Sequence, residues 1–66
     1  MDTRFFLTKT MLEKQEAVRD YQRFADSTSI AEIKEAFKSF AETEALQSAK
    51  IKELLDKYTF ADDSSE

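Results

Sequence analysis

Neither glycine nor proline occurs anywhere in the 66 residues of this chain. β and α/β domains use both at their turns, glycine for positive φ and proline for its fixed φ. A chain lacking them can reverse direction only at short polar breaks between helices. Charged residues make up 36% of the sequence, and apolar residues recur at helical spacing. The fold class read from this pattern is all-α.

Two apolar seams carry that reading. Leu7, Met11, Lys14, Val18, Tyr21 and Ala25 follow 4-3-4-3-4 spacing. Ile30, Ile33, Phe37, Phe40, Glu44, Gln47, Ile51, Leu54 and Tyr58 follow the complementary 3-4 spacing. Such repeats form the buried seams of bundled helices. Lys14, Glu44 and Gln47 interrupt the seams near the middle of each helix.

Asp2 or Thr3 is positioned to cap helix 1, which is expected over about residues 3–26. The run Asp26-Ser27-Thr28-Ser29 is the one interior cluster of helix-disfavouring polar residues. Ser29 and Glu32 have capping-box spacing, so Ser29 is the expected N-cap of a helix over about 30–58. A loop this short returns the chain as an antiparallel two-helix hairpin spanning residues 1–60. The polar stretch 61–66 is expected to be a disordered acidic tail, with Phe60 available to pack back on the hairpin's end. A turn centred near residue 27 or 28 places Lys14 opposite about Ala41. With stagger, Lys14 meets Glu44, and Gln47 lies one turn further along.

A domain this small buries only about 60% of its unfolded surface and needs additional stabilisation. The sequence has no cysteine and no histidine, which removes disulfides, thiolate metal sites and imidazole chemistry. Oligomerisation is the remaining common route. Ala17 and Phe24 widen the first seam, and Ala36, Ala41 and Leu55 widen the second, beyond what a two-stranded coiled coil requires. The expected architecture is a homodimer of hairpins forming a four-helix bundle. Its dimer core would comprise Leu7, Met11, Val18, Tyr21, Ile33, Phe37, Phe40, Ile51 and Leu54.

Charge sets bounds on partners. Residues 1–28 carry five basic and five acidic side chains, residues 29–58 carry five and six, and the remainder carries three acidic. A near-neutral body argues against nucleic-acid and anionic-membrane binding. The opening MDTRFFLTKT lacks the apolar core and cleavage site of a leader, and no stretch approaches membrane-spanning length. The expected location is cytoplasmic.

The residues Ala17, Tyr21, Phe24 and Ala25 follow the pattern A-x-x-x-Y-x-x-F-A. Ile33, Phe37, Ala41, Glu44 and Gln47 follow I-x-x-x-F-x-x-x-A-x-x-E-x-x-Q. Together, over about residues 14–55, they resemble the helical hairpin of rubrerythrin-type ferritin-like proteins, whose second pattern ends in histidine. The resemblance implies a ferritin-like half-bundle, and implies that Lys14, Glu44 and Gln47 stand at di-iron ligand positions. Only Glu44 keeps the family's identity there. An ammonium has no lone pair to donate, and a glutamine amide is a poor substitute for imidazole. No cofactor and no bound metal are therefore expected. Two readings of the layer stay open: an internal Lys14–Glu44 ion pair completed by Gln47, or a lysine that snorkels to water.

Other features weigh less. Tyr21 and Tyr58 sit in seam slots, where a tyrosine buries its ring and leaves its hydroxyl at the edge. Phe5 and Leu12 lie seven residues apart, outside the main stripe, and mark a second surface where a further protein partner would dock. Leu46 also points away from the seam. Arg4, Lys9, Arg19 and Arg23 invite comparison with RNA-binding hairpins of the repressor-of-primer type. Glu13, Glu16 and Asp20 interleave with them, however, and break any basic stripe. Glu53–Lys57 is an expected attractive pair and Glu16–Asp20 a repulsive one. The chain thus reads as a non-catalytic structural or interaction module. The alternatives are an iron-binding ferritin-like protein using Glu44 and a small RNA-binding hairpin.

Overall fold

The computed structural model describes residues 2–58. Phe60 and the tail lie outside the described residues. Among the described residues there are two helices, α1 (Thr3–Ser27) and α2 (Ala31–Lys57), antiparallel and joined by residues 28–30.

Local chemistry explains each boundary. The Asp2 carboxylate accepts a hydrogen bond from the Phe5 amide at 3.0 Å, capping one of the free donors at the start of α1. α1 ends where Thr28 turns extended, with φ −97° and ψ 142°. The Ser29 capping box does not form. Ile30 occupies the N-cap position without a side-chain cap, and Thr28 Oγ1 accepts from the Ile30 amide at 3.2 Å. With the N-cap one residue later than expected, Ser29 sits outside the helix and Glu32 falls in its first turn. There the carboxylate still faces the positive end of the helix. Lys57 lies in the last turn of α2 with the complementary charge.

The hairpin is one layer thick, with Cα extents of 50 × 16 × 12 Å. Two helices of about 10 Å diameter laid side by side fill that outline and leave both broad faces open.

Register differs from the expectation by about one helical turn. Contacting pairs such as Lys14–Glu44 and Tyr21–Phe37 centre the reversal near residue 29, and Lys14–Gln47, Tyr21–Phe40 and Phe24–Phe37 near residues 30 and 31, not 27 and 28. The cause is that α1 continues to Ser27 before the chain turns. Lys14 therefore lies opposite Glu44 and Gln47 rather than Ala41.

The seam on α2 is also rotated. Its buried and half-buried residues are Lys34, Ala36, Phe37, Ala41, Glu44, Ser48, Ile51, Leu54 and Leu55, and the 3-4 repeat through them runs Lys34, Phe37, Ala41, Glu44, Ser48, Ile51 and Leu55. Ala25, Ala41, Ser48 and Ile51 are the buried residues. Ile30, Ile33, Phe40 and Tyr58, expected in the seam, are instead 55%, 40%, 51% and 54% exposed. Close packing accounts for the rotation. Ala41 and Ser48 let the two backbones approach, whereas larger side chains at those positions would hold them apart. The large residues are displaced to one side of the contact.

Candidate functional site

That displaced side is the distinctive surface of the molecule. Tyr21 and Phe24 of α1 meet Phe37 and Phe40 of α2 there, with ring centroids 5.4 to 6.4 Å apart. Tilted and edge-on geometries of this kind hold aromatic clusters together. Phe37 is half-buried by the cluster, but Phe40 keeps half its surface open, and Ile33 continues the stripe toward the loop.

The three seam interruptions converge on the same face. Lys14 Nζ donates to Gln47 Oε1 at 2.6 Å and lies 3.6 Å from Glu44 Oε2. The Lys14 and Glu44 side chains are 24% and 22% exposed. Both are thus largely removed from water by the hairpin alone, and the ammonium is held between the helices by an amide oxygen and a carboxylate. Lys14 lies within one residue of the midpoint of α1, and Glu44 lies at the midpoint of α2. An open groove beside the carboxylate is lined by Tyr21, Phe40, Thr43 and Glu44.

The opposite face is different in kind. Its groove is lined by Val18, Ala41 and Ala45 with Gln22, Lys38 and Glu42. Its walls are apolar but built of short side chains inside a polar rim, and no aromatic ring lines it.

Of the expected dimer core, Leu7, Met11, Val18, Tyr21, Phe37 and Leu54 are half-buried and Ile51 is buried. Within one hairpin these residues are already partly or fully removed from water. Ile33 and Phe40 are the two that the hairpin leaves uncovered. Phe5 and Leu12 are exposed at 54% and 56%, as their position off the stripe implied, and Leu46 is the most exposed of the large apolar residues at 73%. Phe5 also sets its ring edge-on to Phe6 at 6.0 Å.

Ion pairs decorate the outer faces. Lys9 binds Glu13 at 3.3 Å and Arg23 binds Asp20 at 3.0 Å, so two of the basic residues on α1 are matched locally. Arg23 also stacks its guanidinium over Phe24 at 5.5 Å. Glu53 pairs with Lys50 at 3.3 Å rather than with Lys57, because the Lys57 ammonium lies over the Tyr58 ring at 5.4 Å.

Among the described residues, no group of three or more His, Cys, Asp or Glu side chains is placed to hold a metal ion. Glu44 has a cation beside it already, and that cation is Lys14. Nor is any helix among the described residues long and apolar enough to cross a membrane. Ser48 was not singled out from sequence. Its signal is its seven-residue spacing from Ala41 and Leu55, a repeat of small and apolar positions parallel to the large-residue seam. No family model, curated protein or solved structure matches the chain.

Proposed function

We propose that this chain is a non-catalytic interaction module that assembles with a second copy of itself, two hairpins covering their Ile33–Phe40 faces to form a ferritin-like four-helix bundle. The observation that carries the reading is the position of the half-buried Lys14–Glu44 pair in the middle of a face that still exposes Ile33 and Phe40. A face with large apolar residues around a partly desolvated ion pair has the composition of a bundle interior cut in half. The size of the chain supports the same conclusion, since a 66-residue protein without cysteine gains most from burying such a face in a dimer.

In this reading the layer fixes how the copies align. Buried polar residues in coiled coils select register and oligomeric state at a cost in stability. Lys14 and Gln47 replace the ligands that the ferritin-like resemblance implies, so the layer holds position instead of iron. An iron site at Glu44 would require expelling the Lys14 ammonium, which repels a cation at that distance.

The test uses substitutions on the two sides of α2. Phe40→Glu places a charge in the proposed contact and is expected to leave the hairpin monomeric. Leu46→Glu, on the outer side, is expected to leave the assembly intact. Identical sedimentation of the two variants contradicts the reading.

A further inference from the structure

The polar layer also distinguishes between the two ways in which a pair of hairpins can stack. We infer that the copies pair with their 28–30 loops at the same end, so that Lys14 of each lies beside the partner's Glu44. This rests on the reading that a second copy covers the Ile33–Phe40 face.

Because Lys14 and Glu44 sit at the helix midpoints, layer meets layer whichever way the second hairpin points. A two-fold axis perpendicular to the helices puts the loops at opposite ends. It sets α1 against the partner's α1 and α2 against the partner's α2. Lys14 then faces Lys14, and Glu44 faces Glu44. A two-fold axis along the helices puts the loops together and sets α1 against the partner's α2. The four charged groups then form a ring of alternating sign, each ammonium flanked by two carboxylates.

Removal of water sharpens the contrast. The hairpin alone leaves less than a quarter of the Lys14 and Glu44 side chains exposed, and covering the face lowers the local dielectric further. Like charges brought together there repel more strongly than at a surface, and opposite charges attract more strongly. Donor geometry agrees. An ammonium has three N–H groups. Gln47 takes one at 2.6 Å, Glu44 lies at 3.6 Å, and the partner's carboxylate is a match for the third. The groove beside Glu44, between Tyr21 and Phe40, is where the partner's lysine would enter. Shape does not oppose this choice, since large exposed apolar residues flank the layer on both sides, Ile33 and Phe40 toward the loop and Tyr58 toward the open end.

The chain contains no cysteine, so a single Ser29→Cys substitution gives one spin label per copy. Ser29 is exposed and lies outside both helices. The test is the label-to-label distance in the full-length chain, measured by pulsed dipolar spectroscopy. Neighbouring helix axes are about 8–10 Å apart, so loops at the same end give a distance below about 30 Å including the label arms. Loops at opposite ends of α2 give about 40 Å or more, from 1.5 Å of rise per residue. A short distance is the expected result. A long one overturns the same-end arrangement while leaving the dimer in place. Absence of any dipolar coupling at tens of micromolar protein overturns both the arrangement and the self-assembly on which it rests. A label at Asp56, at the other end of the hairpin, is expected to give the same short distance.

Discussion

Replacing Lys14 by methionine keeps an unbranched apolar stem of similar length and removes the ammonium. In an isolated hairpin the consequence is modest. Glu44 is 22% exposed, so water can still reach its carboxylate. The loss is then one charge-assisted hydrogen bond, that from Lys14 to Gln47 at 2.6 Å, contributing about 1–2 kcal/mol when partly solvated. Under a second copy the same substitution strands Glu44 without a counter-charge, and breaking a buried pair costs roughly 3–5 kcal/mol. Removing both charges with Lys14→Met/Glu44→Leu eliminates the stranded carboxylate. Apolar replacement of a buried pair is neutral or stabilising by about 1–4 kcal/mol. Urea denaturation followed by circular dichroism, at two protein concentrations, measures both variants. The expected order of stability is the double variant at or above the parent, with the single variant well below. A single variant within about 2 kcal/mol of the parent refutes the covered layer, since that is the loss an isolated hairpin would show. A double variant no more stable than the single one refutes the view that unpaired Glu44 is the liability.

Helix capping and close packing supply further expectations. Asp2→Ala removes the cap on the Phe5 amide and is expected to cost about 0.5–2 kcal/mol. Ser29→Ala, at a residue that caps nothing, is expected to stay within about 0.5 kcal/mol of the parent; equal denaturation midpoints for the two variants contradict the cap assignment. Ala41 is only 4% exposed, so Ala41→Leu is expected to destabilise by about 1–3 kcal/mol through overpacking. A neutral result for Ala41→Leu in the same assay contradicts the rotated seam.

Sequence and structure agree most closely where one physical rule acts alone. The absence of glycine and proline together with helical periodicity left two helices and one polar break over residues 26–29 as the reading, and the chain turns at residues 28–30, overlapping the second half of that break. The meeting of Lys14, Glu44 and Gln47 was legible because both seams lose their apolarity at the same height. Its opposing position was misjudged by a turn because α1 takes in Ser27, a residue with weak helix propensity that tertiary context overrides, and α2 starts only at Ala31. The Ser29 cap failed for a similar reason, since Thr28 satisfies the Ile30 amide first. The seam of α2 was harder to read. Two 3-4 repeats overlap there, one through Ile33 and Phe40 and one through Ala41 and Ser48, and both include Phe37, Glu44 and Ile51. Hydrophobicity selects the first repeat. A single pair of helices selects the second, because small side chains permit the closer contact. The first repeat remains as an uncovered stripe, and its exposure became visible only once the hairpin's own contact was known.

The central claim is that this stripe is covered by a second copy, and the mass of the protein in solution tests it most directly. Sedimentation equilibrium at tens of micromolar is predicted to give about 15 kDa, twice the 7.7 kDa of one chain. A single species of 7.7 kDa under the same conditions would contradict the account.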